Sequence, residues 1–196
     1  MKLIKTSKKE IIDLTKAWVI LSLAFAILLT RRPIVSSVLA SNFLIAGLTV
    51  GIGFVFHELA HKFLAQKYGC FAEFRSFDVM LFLALIMSFF GFILAAPGGV
   101  FIKGEVGIAR NGKISAAGIA TNIAIALIFL LLYILTPFTT LAYFGFFINS
   151  LLALFNLIPI GNFDGVKVLR WDKKVYTLMI ISAGILMAIQ PFLRPL

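Results

Sequence analysis

One cysteine, two histidines and eight acidic side chains are all that 196 residues provide. The single Cys70 excludes an intrachain disulfide and leaves the redox compartment open. The two imidazoles, His57 and His61, cannot complete a metal site without help from another residue type. Also missing are internal repeats, low-complexity tracts and long linkers. The polar connections 66–78, 98–113 and 159–174 are each too short for a separate soluble domain, so a single domain over 1–196 is expected.

What fills the chain instead is apolar. It is 61% hydrophobic and 13% charged, with a mean hydropathy of +1.06. A soluble domain of this length cannot hide that much apolar surface, so most of it must face lipid. The net charge of +10 would point to nucleic acid in a soluble protein. Here the basic residues sit between apolar runs, where they meet lipid headgroups and set topology, so no nucleic-acid partner is expected.

Residues 1–16 carry Lys2, Lys5, Lys8, Lys9, Glu10, Asp13 and Lys16 and are expected to form a short interfacial helix in the solvated leader. The apolar run Ala17 to Thr30 follows. No small-residue cleavage site comes after it, only Arg31-Arg32-Pro33, so it is expected to be a retained, rather short anchor. Further apolar stretches run over about 38–65, 79–97, 114–135, 138–158 and 175–193. Each nears the length needed to cross about 30 Å at 1.5 Å per residue. The expected fold is therefore an all-α, polytopic membrane bundle of five to six segments. The stretch 79–97 is ambiguous, because it ends in Ala95-Ala96-Pro97-Gly98-Gly99-Val100, which breaks a helix and invites an extended segment.

The chemistry concentrates in His57-Glu58-Leu59-Ala60-His61. In a helix, positions i and i+4 share a face, so both imidazoles reach one ion, and Glu58 beside them is placed for general-base work. The alternative is a helix end whose His and Glu merely face water. An ionisable triplet in or beside a spanning segment is costly without a function, which weighs against that alternative. The third ligand should be a carboxylate. Glu10 and Asp13 fall in the leader, Glu73 and Asp78 in a short charged connection, and Asp172 beside Lys173 and Lys174. Asp164 differs, because it follows an apolar helix through Pro159 and Gly161 and precedes Gly165, a turn that lets a carboxylate face inward. An ordinary helix exit would look the same.

H-E-x-x-H on an early apolar helix, followed about a hundred residues later by Asn156-x-x-Pro159-x-x-x-x-Asp164-Gly165, resembles the site-2 protease family. The resemblance covers 50–66 and 156–165 directly, and about 40–170 with the intervening core. It implies one zinc ion per chain held by His57, His61 and Asp164, with Glu58 as general base. It also implies a substrate carbonyl held near Asn156, and proteolysis within or near the transmembrane helices of single-pass membrane proteins. Gly118-Ile119-Ala120-Thr121-Asn122 keeps the Gly and Asn of the family's G-P-x-x-N stretch but has Ile119 for Pro. Asn122 is thus a candidate substrate contact, or equally a helix–helix hydrogen bond. A membrane metal-binding or transport protein would use the same ligands without hydrolysis, and a scaffold would use none of them.

A shared metal requires His57, His61 and Asp164 at one depth, so an even number of crossings must separate them. Stretches 114–135 and 138–158 supply two. The stretch 79–97 is therefore expected to be re-entrant or a tight hairpin; the resemblance implies an extended Pro97–Ile102 near the metal, with an ordinary interfacial loop as the equal alternative. This arrangement gathers the Lys and Arg of 1–16, 62–75, 103–113 and 167–174 on one face and leaves Arg31, Arg32 and Arg194 opposite. The bias predicts a multi-pass protein of the cell membrane, with the N-terminus and site opening cytoplasmic.

Overall fold

The computed structural model describes residues 5–30, 36–93 and 96–193. Lys2, Arg31, Arg32, Pro33, Ala95 and Arg194 lie outside the described residues. Eight helices appear among these: α1 (Lys8–Leu29), α2 (Ser36–Ala46), α3 (Ile52–Lys67), α4 (Asp78–Ser88), α5 (Ile108–Leu135), α6 (Thr139–Asn156), α7 (Asp164–Trp171) and α8 (Lys173–Ile189). Two strands, β1 (Phe71–Ser76) and β2 (Gly98–Lys103), pair antiparallel, with Phe74 opposite Val100. Five helical segments are long and apolar enough to cross a membrane: Lys8–Leu29, Ser37–Lys67, Ile108–Leu135, Thr139–Asn156 and Lys173–Phe192. The protein is an all-α polytopic membrane protein with one small sheet.

The first helix corrects an expectation. Among the described residues 5–16 there is no separate interfacial helix. The Ser7 hydroxyl caps a helix that starts at Lys8 and runs unbroken to Leu29. Its 22 residues reach about 33 Å at 1.5 Å per residue, a full span rather than a short one. Glu10 and Asp13 are buried, not solvated. Both face bases brought in from elsewhere in the chain: Lys62 Nζ lies 2.6 Å from Glu10, and Arg75 Nη1 lies 3.7 Å from Asp13. Glu73 and Asp78 likewise stand in β1 and at the start of α4 rather than in a loose connection.

The second span is continuous through a π-helical turn, Gly47–Gly51. Trp18 of α1 explains both glycines. Its indole N–H donates to the Gly47 carbonyl, and a Cβ on Gly51 would come within 2.6 Å of its ring. The π turn immediately precedes α3, the helix that carries the H-E-x-x-H residues. At the other end, Gly69 takes a φ of +83°, its N–H donates to Gln66, and Cys70 N–H donates to Ala65. This pair of bonds is a Schellman closure, which ends α3 and sends the chain into β1.

Stretch 79–97 does not span. Helix α4 has 11 residues, about 16 Å, and the chain then returns so that β2 lies against β1. The return matches the re-entrant expectation, and the Gly98–Lys103 strand matches the expected extended segment. Gly98 lets the sheet close over Phe74, since a Cβ there would sit 2.4 Å from that ring.

Helices α5 and α6 form the hairpin that brings the chain back, and α7 packs across the start of α5. A Cβ on Gly112 would come within 2.2 Å of Trp171, and Lys113 Nζ lies 5.8 Å from the Trp171 ring centre. The ends of β2 and α7 therefore lie at one end of the bundle. Cysteines placed at Lys103 and Lys173 in a Cys70→Ser background should label from the same face with a membrane-impermeant reagent. Labelling from opposite faces would contradict this packing.

Candidate metal centre

Three elements remote in sequence build the centre. Helix α3 supplies His57, Glu58 and His61 on its buried side. The close passage of α5 is possible because position 118 is glycine: a Cβ there would lie 2.3 Å from His61 and 2.8 Å from His57. Helix α7 supplies Asp164 in its first turn. Gly161, at φ +57°, turns the chain after α6, and Gly165 lets α7 seat on the Leu157 carbonyl, 2.3 Å from where a Cβ would be.

The donor atoms converge tightly. His57 Nε2 and His61 Nε2 are 2.9 Å apart, and Asp164 Oδ2 lies 2.9 Å from His61 Nε2 and 3.4 Å from His57 Nε2. Tetrahedral donors at about 2.0–2.1 Å from zinc stand about 3.3 Å from one another, so this triangle has the right size. Glu58 is close by, with its carboxylate and the two imidazoles all within 4.8 Å of one another. Its Oε2 is buried and accepts no hydrogen bond.

Proton accounting shows why these atoms need a cation. His61 Nδ1 lies 2.8 Å from the Ile114 carbonyl, which can only accept, so the ring proton sits on Nδ1. His57 Nδ1 lies 2.6 Å from Asn122 Oδ1. The amide orientation at Asn122 is fixed from behind, because its Nδ2 donates to Gly53 O at 3.3 Å and Asn149 Oδ1 at 3.1 Å. Asn149 is fixed in turn by donating to Gly145 O at 2.9 Å. His57 therefore also carries its proton on Nδ1. With each ring in its Nδ1–H tautomer, two Nε2 lone pairs and a carboxylate oxygen converge, an arrangement that fits a metal ion. Lys167 Nζ, 3.1 Å from Asp164 Oδ1, engages the other oxygen and leaves Oδ2 for the histidines.

The residues singled out from sequence separate here. His57, Glu58, His61 and Asp164 come together. Asn122 is fully buried, and its amide oxygen is turned to His57, which makes it a support for the ring. Asn156 ends α6 with Nδ2 donating to its own Leu152 carbonyl at 2.9 Å. Asp172 accepts from Lys174 N and Val175 N as the N-cap of α8, a local role distinct from the surface pairing its lysine neighbours implied. Sequence reading missed Asn149, Gly53 and Lys167. A Cβ on Gly53 would come within 2.1 Å of Asn149 Oδ1, so the pair depends on each other's shape. Asn149 stands two helical turns before Asn156 in an otherwise apolar helix, which was the available signal.

The fold and the donor set together define a polytopic membrane protein with a buried group of histidine and carboxylate side chains that could hold a metal ion. Comparison sharpens this class. Over 185 residues the chain is 40% identical to a protein of Methanocaldococcus jannaschii named "Putative zinc metalloprotease", covering 91% of this chain and 93% of that one. The chain belongs to this zinc metalloprotease family. No family model matches it. No solved structure matches it either.

Loss of the polar support should appear in metal affinity. Asn122→Ala and Asn149→Leu should each weaken zinc binding about 10- to 100-fold in competition with a chelator. Asp164→Ala should strip zinc far more readily than Asp172→Ala, as elemental analysis after dialysis would show.

Proposed function

We propose that this chain is an intramembrane protease of the site-2 type, cutting single-pass membrane proteins in or near their transmembrane helices. The observation that carries the proposal is the convergence of two deprotonated Nε2 atoms, one carboxylate and the unpartnered Glu58 oxygen at the end of a membrane-length helix. In this reading His57, His61 and Asp164 hold one zinc ion. Bound zinc would acidify a water and polarise the scissile carbonyl.

The protein's own groups do the rest. Glu58 accepts the proton of the attacking water and delivers it to the leaving nitrogen, so that water is added across the C–N bond. Asn122 and the Ile114 carbonyl keep both imidazole protons on Nδ1, which leaves both Nε2 atoms available to hold the zinc. Asn156 has one amide proton engaged by Leu152 and a second free for the substrate carbonyl, a role that rests on the family resemblance.

A helical substrate has its carbonyls engaged and must unwind before attack. The sheet offers replacement partners. The outer edge of β1 lies against α1, where Glu10 accepts from Phe74 N–H, whereas β2 has no second neighbouring strand among the described residues. Val100 of β2 packs into the same apolar cluster as Phe54 of α3, one turn before Glu58, so β2 borders the site. An unwound substrate segment pairing with β2 would lie beside the catalytic carboxylate. The basic residues at this end of the bundle favour a cytoplasmic opening, with the N-terminus on the same side.

Purified protein in liposomes, mixed with a panel of single-pass membrane proteins, provides the test. Cleavage of at least one is expected, with complete loss on chelation and restoration by zinc. Glu58→Gln should lower the rate by at least about a thousandfold while keeping one zinc per chain. Unchanged cleavage in Glu58→Gln would rule out the general-base assignment, and a metal-loaded protein that cleaves nothing would favour metal binding or transport.

A further inference from the structure

Two buried charges take no part in the chemistry above. Glu10 is 0% exposed and Lys62 is 1% exposed, and they pair at 2.6 Å. Burying an ion pair costs desolvation, and an apolar pair of similar volume usually holds two helices as well or better. Packing therefore does not explain why α1 and α3 meet through charges here.

The second oxygen of Glu10 supplies a reason. While Oε2 meets Lys62, Oε1 accepts from Phe74 N at 3.0 Å. In an antiparallel pair, alternate residues turn their N–H groups away from the partner strand. Phe74 N–H points away from β2 and, being buried, needs an acceptor that no strand provides. Lys62 fixes the carboxylate from the opposite side and also donates to Thr6 Oγ1 at 2.7 Å.

These contacts close a circuit through the site. Lys62 follows the ligand His61 on α3, and its ammonium holds Glu10. Glu10 holds Phe74, Phe74 lies opposite Val100, and Val100 packs into the same apolar cluster as Phe54, back on α3 one turn before Glu58. The Phe74 ring packs edge-on against Phe54 of the same helix, with centroids 5.7 Å apart. The neighbouring links from the N-terminal segment are more exposed: Ser7 to Glu73, and Lys16 to Asp78. Such contacts are screened and contribute little to fixing position.

We propose that Glu10, clamped by Lys62, is a positioning residue that sets the β1–β2 sheet against the catalytic helix, so that the free edge of β2 presents substrate to Glu58. The proposal rests on the strand-docking reading above. It assigns the function to the acceptor oxygen of Glu10 rather than to its charge.

Two double variants separate acceptor from charge. Glu10→Met with Lys62→Met removes both charges and the acceptor. Glu10→Gln with Lys62→Met removes the charges but keeps an amide oxygen for Phe74 N–H. Each full-length protein is loaded with zinc in liposomes and given the single-pass substrate cleaved in the preceding assay. In a Glu58→Gln background, Phe101→Cys on β2 is also crosslinked to a cysteine beside the scissile bond of that substrate.

The Met pair should keep one zinc per chain, raise KM about tenfold with kcat nearly unchanged, and lose crosslinking to a similar degree. The Gln variant should return both readouts to within about threefold of the parent. A Met pair with parental KM and crosslinking would overturn the proposal while leaving strand docking intact. Absence of crosslinking in the parent protein would overturn strand docking, and the proposal with it. If the Met pair does not fold, the Gln variant still decides: a raised KM with zinc intact would show that charge, not the acceptor, was required.

Discussion

Converging lone pairs repel unless a cation lies among them, and the structure of this protein is organised around one such group of donors. Two imidazole nitrogens and a carboxylate oxygen lie within 3.4 Å of each other. Their mutual repulsion is relieved by a cation and by little else in a lipid-embedded bundle. Keeping them together demands the close approach of α5 at Gly118, the turn at Gly161 and the seating of α7 on Leu157. It also demands that both rings carry their protons on the far side, which the Ile114 carbonyl and the Asn122–Asn149 pair enforce. Removing Asn149 would leave a buried amide without its acceptor, at a cost of about 1–3 kcal/mol, and would free Asn122 to turn.

The same helix carries a second obligation. Helix α3 carries His57, Glu58 and His61, and through Lys62 and Phe54 it also holds the sheet. The candidate metal group and the sheet are therefore referenced to one element. The short α4 makes this possible, since a full crossing there would carry β2 to the opposite face, away from β1. Family membership supplies the zinc metalloprotease class, and the five membrane-length helices supply the setting in which a strand edge beside the site has a use.

Much of this was legible before any coordinates. The i, i+4 spacing of His57 and His61 needs only helical periodicity. Hydropathy and the depth rule for a shared ion were enough to make 79–97 return to its own side. Where the reading failed, it treated charge by local context. Glu10 and Asp13 looked solvated because lysines surround them in the chain, yet their partners Lys62 and Arg75 arrive from more than fifty residues away. Asn122 looked as suited to substrate as to structure because an amide's orientation depends on what stands behind it. Asn149 and Gly53, which stand behind it, are not adjacent to it in sequence.

The order of residues along the chain determined the membrane class, the two histidines on one helical face, Glu58 beside them and the expectation of a carboxylate from elsewhere. These follow from periodicity, hydropathy and ligand chemistry, which act over a few turns. Tertiary structure decided which oxygen of Asp164 faces the rings, which nitrogen of each histidine carries the proton, and how Glu10 ties β1 to α3. Those outcomes depend on donors and acceptors from segments dozens of residues apart. Such groups acquire partners only when the helices pack and water no longer competes for them.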